Sequence, residues 1–536
     1  MENPSLQIGD NNWAVKDGSI LGYNIIQDNY LPQPIDFTRA SSATRVNEQG
    51  LIETPSFLGS ELIINGDFAT VSNWNTSSAS YSVSGNLANV INLGVIGGIN
   101  QTFTTVIGKT YKATFTAFNG DVNATIQIGY VPNGGQYYQN IGFSGTTEVS
   151  FIAVGTSVSI SLRVNSSVVG ANCNFSNVSV KEVITNNIPR IDYTGGGFGK
   201  LLLEPQRTNL LLYSELFNNA YWSSIGITIT PNSTTSPDGT LNAQKLTSTS
   251  YNSVRRILSV SSSTIYTQSF YFKKDTSNES WVQLSFTGGT AIQYGYRINW
   301  TSFTISKISG AYADPTSVSF TSVGNGWYRF EMAASSTNNT SVTYAILPDS
   351  SATSSIFAWG AQFELGSYPT SYIPTTSTAV TRVADSCFKE NISSVLPSAY
   401  PFTLYAQGFL RENLDILIGI NNISDTSTYY NIGATDNGFS ARARYGSETS
   451  VSTSIGRSIG THKVAAVFTS SEIRLFANGV LIATGANATT FSESANDVIL
   501  GQLRISADVG KRSSINEALV FPTALSDADL IALTTL

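Results

Sequence analysis

The chain has 536 residues, of which 41% are hydrophobic and only 12% are Asp, Glu, Lys or Arg, about half the usual ~25% charged share, and its net charge is −7. At about 150 residues per domain this length holds roughly three or four domains, and 27 Phe, 25 Tyr and 7 Trp supply enough apolar area to exclude charge-driven disorder. The acidic balance excludes a nucleic-acid binder, Cys173 and Cys387 alone build neither a disulfide framework nor a CxxC metal site, and no run of about 20 apolar residues predicts membrane insertion.

Residues 1–57 carry Pro4, Pro32 and Pro34 and short apolar pieces such as SLQI and YNII, too little for an independent core. They are predicted to be an N-terminal anchor that adds strands to another protein or to sister chains. Beyond them the pattern is two-residue alternation, as in Tyr111–Phe118, Val158–Val164 and Glu472–Gly485, which predicts half-buried strands. Asn65-Gly66, Asn119-Gly120, Asp238-Gly239, Asn437-Gly438 and Asn478-Gly479 are the dipeptides of tight turns. Long helical periodicity is nearly absent, so the fold class is all-β, with serial β-sandwich or jelly-roll domains. One short helix is predicted at the end, where Ser526-Asp527-Ala528-Asp529 resembles a capping box ahead of LIAL.

A weak internal repeat sets the boundaries. Glu61–Trp74 and Asn209–Trp222 each combine an apolar run, a Phe and a closing Trp. Each opens a sandwich, over 58–185 and 209–385, joined by a Gly- and Pro-containing linker over 186–208. The linker is no phosphate loop, since that motif needs Gly where Thr194 stands and a hydroxyl residue where Leu201 stands.

His462 is the one histidine, so no two-histidine metal site exists, and no G-x-S-x-G occurs; its expected role is packing. Glu204, Glu215, Glu364 and Glu412 show no pairing suited to glycoside hydrolysis, and an ion pair with Arg207 or Arg382 accounts for Glu204 and Glu364. No catalytic residue is assigned, and the chain is not expected to be an enzyme. Sugar recognition needs aromatic faces beside small polar groups. Tyr137 and Tyr138 in PNGGQYYQN, and Tyr429 and Tyr430 in SDTSTYYN, are the predicted ligand-binding residues. Trp74, Trp222, Trp281, Trp327 and Trp359 sit in apolar surroundings and are assigned to cores.

Three blocks, Asp36–Glu53, Pro189–Trp222 and Gly366–Ser386, resemble the linked blocks of tailed-bacteriophage virion fibre proteins, which interleave them with jelly rolls of the carbohydrate-binding-module kind. Residues 386–536 resemble a laminin G-like, or concanavalin A-like, sandwich through Gly460–Gly485 and Ile515–Leu536. The resemblance implies a structural virion subunit, made in the bacterial host's cytoplasm, which joins other virion proteins through its N-terminal segment. It also implies a homo-oligomer, with a trimer favoured, and adhesion to a host-surface glycan. No cofactor is required, and a structural calcium is implied near the first and last strands, with Asp67 and Glu182 as ligands. A purely architectural tail or capsid protein and a polysaccharide-degrading tail spike are the alternatives.

Overall fold

A computed structural model describes every residue except 1, 10–12, 14, 17–18, 26, 31–34, 350–352, 412–415, 423, 436–437, 454–456 and 503–512. The chain divides into two compact units, Ser56–Thr185, and Met1–Pro55 together with Asn186–Leu536. Both are built from antiparallel sheets, and the one α-helix among the described residues spans Asp527–Thr534. The fold is all-β, with sandwich domains following one another in sequence.

In the unit Ser56–Thr185 the first sheet runs in the order Ala79–Ser84, Leu87–Asn92, Asn172–Ile184, Thr110–Asn119, Gly145–Ile152, with Phe57–Glu61 also pairing to Asn172–Ile184. The second runs Asn75–Ser77, Gly98–Thr104, Ser157–Val164, Ala124–Gly129, Tyr138–Phe143. Strand period fixes the layers: Val158, Ile160, Leu162 and Val164 are buried against Phe115, Ile126 and Phe175, and the residues between them take the opposite face. Each large apolar side chain buried this way contributes about 1.5–3 kcal/mol.

The second jelly roll repeats that order. Ala243–Ser259, Ser341–Leu347, Glu279–Thr287 and Ile292–Asn299 are neighbours in one half of its sheet, and Ala243–Ser259, Ser354–Leu365, Ile265–Lys274 and Trp327–Ser335 in the other. The long strand Ala243–Ser259 serves both halves, pairing through Gln244–Ser248 with one neighbour and through Val254–Ser259 with another.

The sequence repeat that opens each jelly roll is a latch onto its last strand. Leu62 N–H donates to the Val180 carbonyl at 2.9 Å, and Leu210 N–H to Phe363 at 2.9 Å. The Glu61 carboxylate accepts from the N–H groups of Ile63 and Val180, and the Asn209 side-chain oxygen from those of Leu211 and Phe363. The closing tryptophans then lock the turn. Trp74 Nε1 donates to the Asn65 carbonyl and Trp222 Nε1 to that of Tyr213, both at 3.1 Å, and both acceptor residues have positive φ, 55° and 49°. Phe68 and Phe217 pack on the two indoles with ring centroids 5.2 and 5.1 Å apart. A left-handed tyrosine is uncommon and persists where its surroundings over-determine it. A second pairing that the sequence reading missed recurs as well: the Tyr111 and Tyr266 hydroxyls accept from the N–H groups of Val106 and Ser261, each at 2.8 Å.

The C-terminal sandwich packs the sheet containing Val480–Ala486, Glu472–Ala477, Gly460–Phe468, Phe402–Leu410 and Ser513–Phe521 against the sheet containing Ser447–Ser452, Phe439–Tyr445, Asp425–Ala434, Ile416–Asn422, Asp497–Leu500 and Ser386–Lys389. Asn478 and Gly479, with φ of 50° and 82°, make the hairpin between Glu472–Ala477 and Val480–Ala486. Ser526 caps the helix, its hydroxyl accepting from Asp529 N–H at 3.2 Å, and Leu530 packs on Tyr405 and Val467. Asn437 lies outside the described residues.

The N-terminal segment finds its partner surface inside its own unit, which corrects the reason for expecting an outside one. Leu6–Gly9 pairs with Ser513–Phe521 and Asp36–Thr38 with Ser386–Lys389, while Leu6, Ile8, Ile20, Ile35 and Phe37 are buried in the C-terminal sandwich's core. The hairpin Arg45–Val46/Ile52–Glu53 reaches the second jelly roll instead, where Ile52 packs with Trp327, Trp359 and Tyr372. Residues 186–208, expected as a linker, contain the hairpin Arg190–Asp192/Lys200–Leu203, whose second strand pairs with Ser513–Phe521.

The three blocks that carry the virion-fibre resemblance meet in one buried charge network. Arg190 Nη1 donates to Glu204 Oε2 at 2.7 Å, to the Thr44 carbonyl at 3.0 Å and to Ser371 Oγ at 2.7 Å, and its Nη2 pairs with Asp385. Arg39 reaches the other Asp385 oxygen and Arg382 reaches Glu204, both at 2.9 Å. All five side chains are at most 1% exposed. Burial alone would lower Arg190, but Asp385 and Glu204 hold it well above the ordinary guanidinium range. Removing one partner of such a group leaves an uncompensated buried charge, so the blocks hold the fold of this unit together.

Candidate functional site

The predicted tyrosines divide. Tyr429 and Tyr430 are buried, and Tyr430 stacks among Tyr400, Phe402 and Phe491 in the core. Their strand, Asp425–Ala434, is hydrogen-bonded on both sides. Both side chains are packed in the fold, which corrects their assignment to an exposed sugar-binding loop. Tyr137 and Tyr138 are half-buried at one edge of the first jelly roll. The Tyr138 ring faces inward onto Phe115, and the Tyr137 ring lies on Phe151 with its hydroxyl accepting from Val154 N–H at 2.9 Å. Tyr130, which the sequence reading missed, meets the Tyr137 ring edge-on at 5.0 Å and is the more open of the two at 46% exposure.

Asp67 and Glu182 do not gather as calcium ligands. Glu182 pairs with Lys109 at 3.3 Å, exposed Asp67 accepts from Ala69 N–H in its own turn, and the junction of first and last strands is held by Glu61. Among the described residues no group of three His, Cys, Asp or Glu is placed to hold a metal ion. Glu204 and Glu364 are buried with hydrogen-bonded carboxylates, Glu364 accepting from Thr370 N–H and Gln362. Neither faces solvent, and Glu204 pairs with Arg190 and Arg382 rather than with Arg207, which lies over the Tyr368 ring. Burial raises Glu215, against the Tyr372 hydroxyl that donates to it at 3.0 Å. Glu412 lies outside the described residues. His462 is buried, its Nε2 at 2.8 Å from the Ser458 carbonyl and its Nδ1 at 2.9 Å from Asn478 Nδ2. Burial raises both thiols, Cys173 to about 11.

Polar side chains that point away from a core and are nevertheless buried mark a concave surface, since outward residues on a flat sheet stay wet. The second sheet of the first jelly roll has such a face. Asn100, Thr125, Gln127, Ser159 and Ser161 alternate with its core residues, yet none exceeds 8% exposure. The loop after Gly129 folds over them, Asn133 N–H donating to Ser161 Oγ at 2.8 Å. A line of polar contacts crosses the trough, from the Ile96 carbonyl to Arg163 Nη2, from Arg163 Nη1 to Gln127 Oε1 at 3.2 Å, and from Gln127 Nε2 to Gln139 Oε1 at 3.1 Å.

The second jelly roll places aromatic rings on the corresponding face. Val282, Leu284 and Phe286 enter its core, so Trp281, Gln283 and Ser285 face the other way, and Trp281 is half-buried outside the core to which it was assigned. The other four assigned tryptophans are buried. Trp281 stands opposite Arg297, and Gln283 opposite Gly295. A side chain at Gly295 would strike Tyr312 Cε1 at 2.6 Å, so the glycine lets the Tyr312 ring lie across the strand. Gln283 Nε2 donates to the Tyr312 hydroxyl at 2.9 Å. Gln127 and Gln283 lie on the outward face of corresponding strands, Ala124–Gly129 and Glu279–Thr287.

No family model matches the chain, and no curated protein matches it. Among solved structures, the CBM40 of a Ruminococcus gnavus IT-sialidase bound to α2,3-sialyllactose is 23% identical over 26% of this chain and 84% of that one, with a TM-score of 0.23. The tandem CBM22-1–CBM22-2 of Paenibacillus barcinonensis Xyn10C is 9% identical over 59% of this chain and 99% of that one, TM-score 0.26. Domains LG4-5 of the mouse laminin α1 chain are 10% identical over 52% of this chain and 90% of that one, TM-score 0.18. Each is a partial likeness.

Proposed function

We propose that this chain is a glycan-binding structural subunit of a bacteriophage virion, a tail or head fibre protein whose jelly rolls hold host-surface sugar on their outer sheet faces without cutting it. The observation that carries the binding role is the face of the second jelly roll, where Trp281 and Tyr312 flank Gln283 and Arg297. Rings of this kind cover the apolar side of a pyranose, and the amide and guanidinium pair with its hydroxyls. The virion role is supported by the resemblance of the three blocks, which converge on one buried network as a single architectural element would. Assembly as a trimer belongs to the same proposal. The absence of cutting is supported by Glu204 and Glu364, whose carboxylates are buried away from any substrate.

The test is binding of the full chain to a glycan array, with Trp281→Ala as the comparison. Binding that falls about tenfold or more in the variant is expected from the loss of a stacked ring. Equal binding by both would overturn the site, and release of oligosaccharide from host polysaccharide would overturn the non-catalytic reading.

A further inference from the structure

The first jelly roll presents the same face with different chemistry. Its five strands, Asn75–Ser77, Gly98–Thr104, Ala124–Gly129, Tyr138–Phe143 and Ser157–Val164, contain no Asp or Glu, and Arg163 is their one charged residue. Among the described residues no carboxylate pairs with it. Its terminal nitrogens meet only neutral acceptors, Gln127 Oε1 at 3.2 Å and the Ile96 carbonyl at 2.6 Å. Burial depresses its basicity, the direction expected of a cation drawn from water without a counter-charge. The fully buried arginines Arg39, Arg190 and Arg382 all bind acids, whereas half-buried Arg163, like half-buried Arg207 and Arg256, meets only neutral acceptors.

Resting on the glycan-binding reading above, we infer that the trough around Arg163 is a second sugar site, selective for a sugar residue that bears a carboxylate. The guanidinium supplies a planar fork for the carboxylate, and Gln127 and Gln139 beside it supply donors and acceptors for ring hydroxyls. No aromatic side chain lies on the outward positions of these strands, so charge rather than ring stacking sets affinity here.

The experiment titrates the full chain with trimers of galacturonic, glucuronic and mannuronic acid and with their neutral counterparts of galactose, glucose and mannose. Wild type is expected to bind at least one acidic trimer in preference to its neutral counterpart, and 0.5 M salt to weaken that binding. Arg163→Gln should weaken it about tenfold or more, the loss of a charge-assisted pair, and Arg163→Lys, which keeps the charge and loses the fork, should fall between. Unchanged melting of each variant excludes a folding defect. Failure of wild type to bind any acidic trimer, equal binding by Arg163→Gln, or equal competition by acetate would overturn the inference. Binding of neutral trimers or array glycans that depends on Trp281 would then leave the broader reading standing, whereas no binding of any trimer or array glycan would overturn both.

Discussion

Replacing Arg190 by Met tests whether the buried charge network holds the larger unit together. The guanidinium touches Glu204, Asp385, Ser371 and the Thr44 carbonyl, and Met matches its unbranched stem while supplying no donor. Glu204 keeps Arg382 and Asp385 keeps Arg39, so neither acid is wholly orphaned, but each loses one of two cations in a site closed to water. Breaking a buried pair costs about 3–5 kcal/mol, and the abandoned Thr44 carbonyl places the expected loss within that range rather than below it. At about 2 °C per kcal/mol for a large domain, calorimetry should show the unit's transition falling by about 6–10 °C. Asp314→Asn is the control: its exposed pair with Lys307 should be worth less than about 1 kcal/mol. An Arg190→Met shift no larger than the control's would mean that the three blocks meet without supporting the fold.

The two latches should differ in strength. Asn209 is fully buried and satisfies the Ala361 and Ile373 carbonyls as well as two N–H groups, so Asn209→Ala is expected to cost about 3–4 kcal/mol, against about 1 kcal/mol for exposed Glu61→Ala, both read from urea midpoints. A chelator should leave melting unchanged, because Glu182 is paired with Lys109 and no three His, Cys, Asp or Glu gather among the described residues; a clear fall would restore the calcium. Glu215 gives a pH signature. Burial raises its carboxyl, so the fold binds this proton more tightly than the unfolded chain, and the resulting stability is complete below the unfolded value of about 4.3 and lost as pH rises through the folded one. Melting temperatures measured from pH 7 down to pH 4 should therefore show wild type gaining on Glu215→Gln.

Strand alternation made the all-β class readable, and the Phe and Trp of the opening repeat were readable because a latch needs both in fixed places. Ser526 marked the helix start for the same local reason. The sites were harder. In VSISLRV the alternation already puts Ser159, Ser161 and Arg163 on one face, but whether that face is open, flat or roofed depends on the loop carrying Asn133, which no local pattern records. Tyr429 and Tyr430 misled because SDTSTYYN has the composition of a loop while its strand lies between two others. Arg39 and Asp385 are 346 residues apart, and only the fold pairs them.

The most direct measurement is hydrogen exchange of the full chain with and without a glycan that it binds. New protection is expected in Glu279–Thr287 and Ile292–Asn299, the strands carrying Trp281, Gln283 and Gly295, and it should disappear in Trp281→Ala. Protection confined to the C-terminal sandwich, with these strands unchanged, would contradict the proposed site.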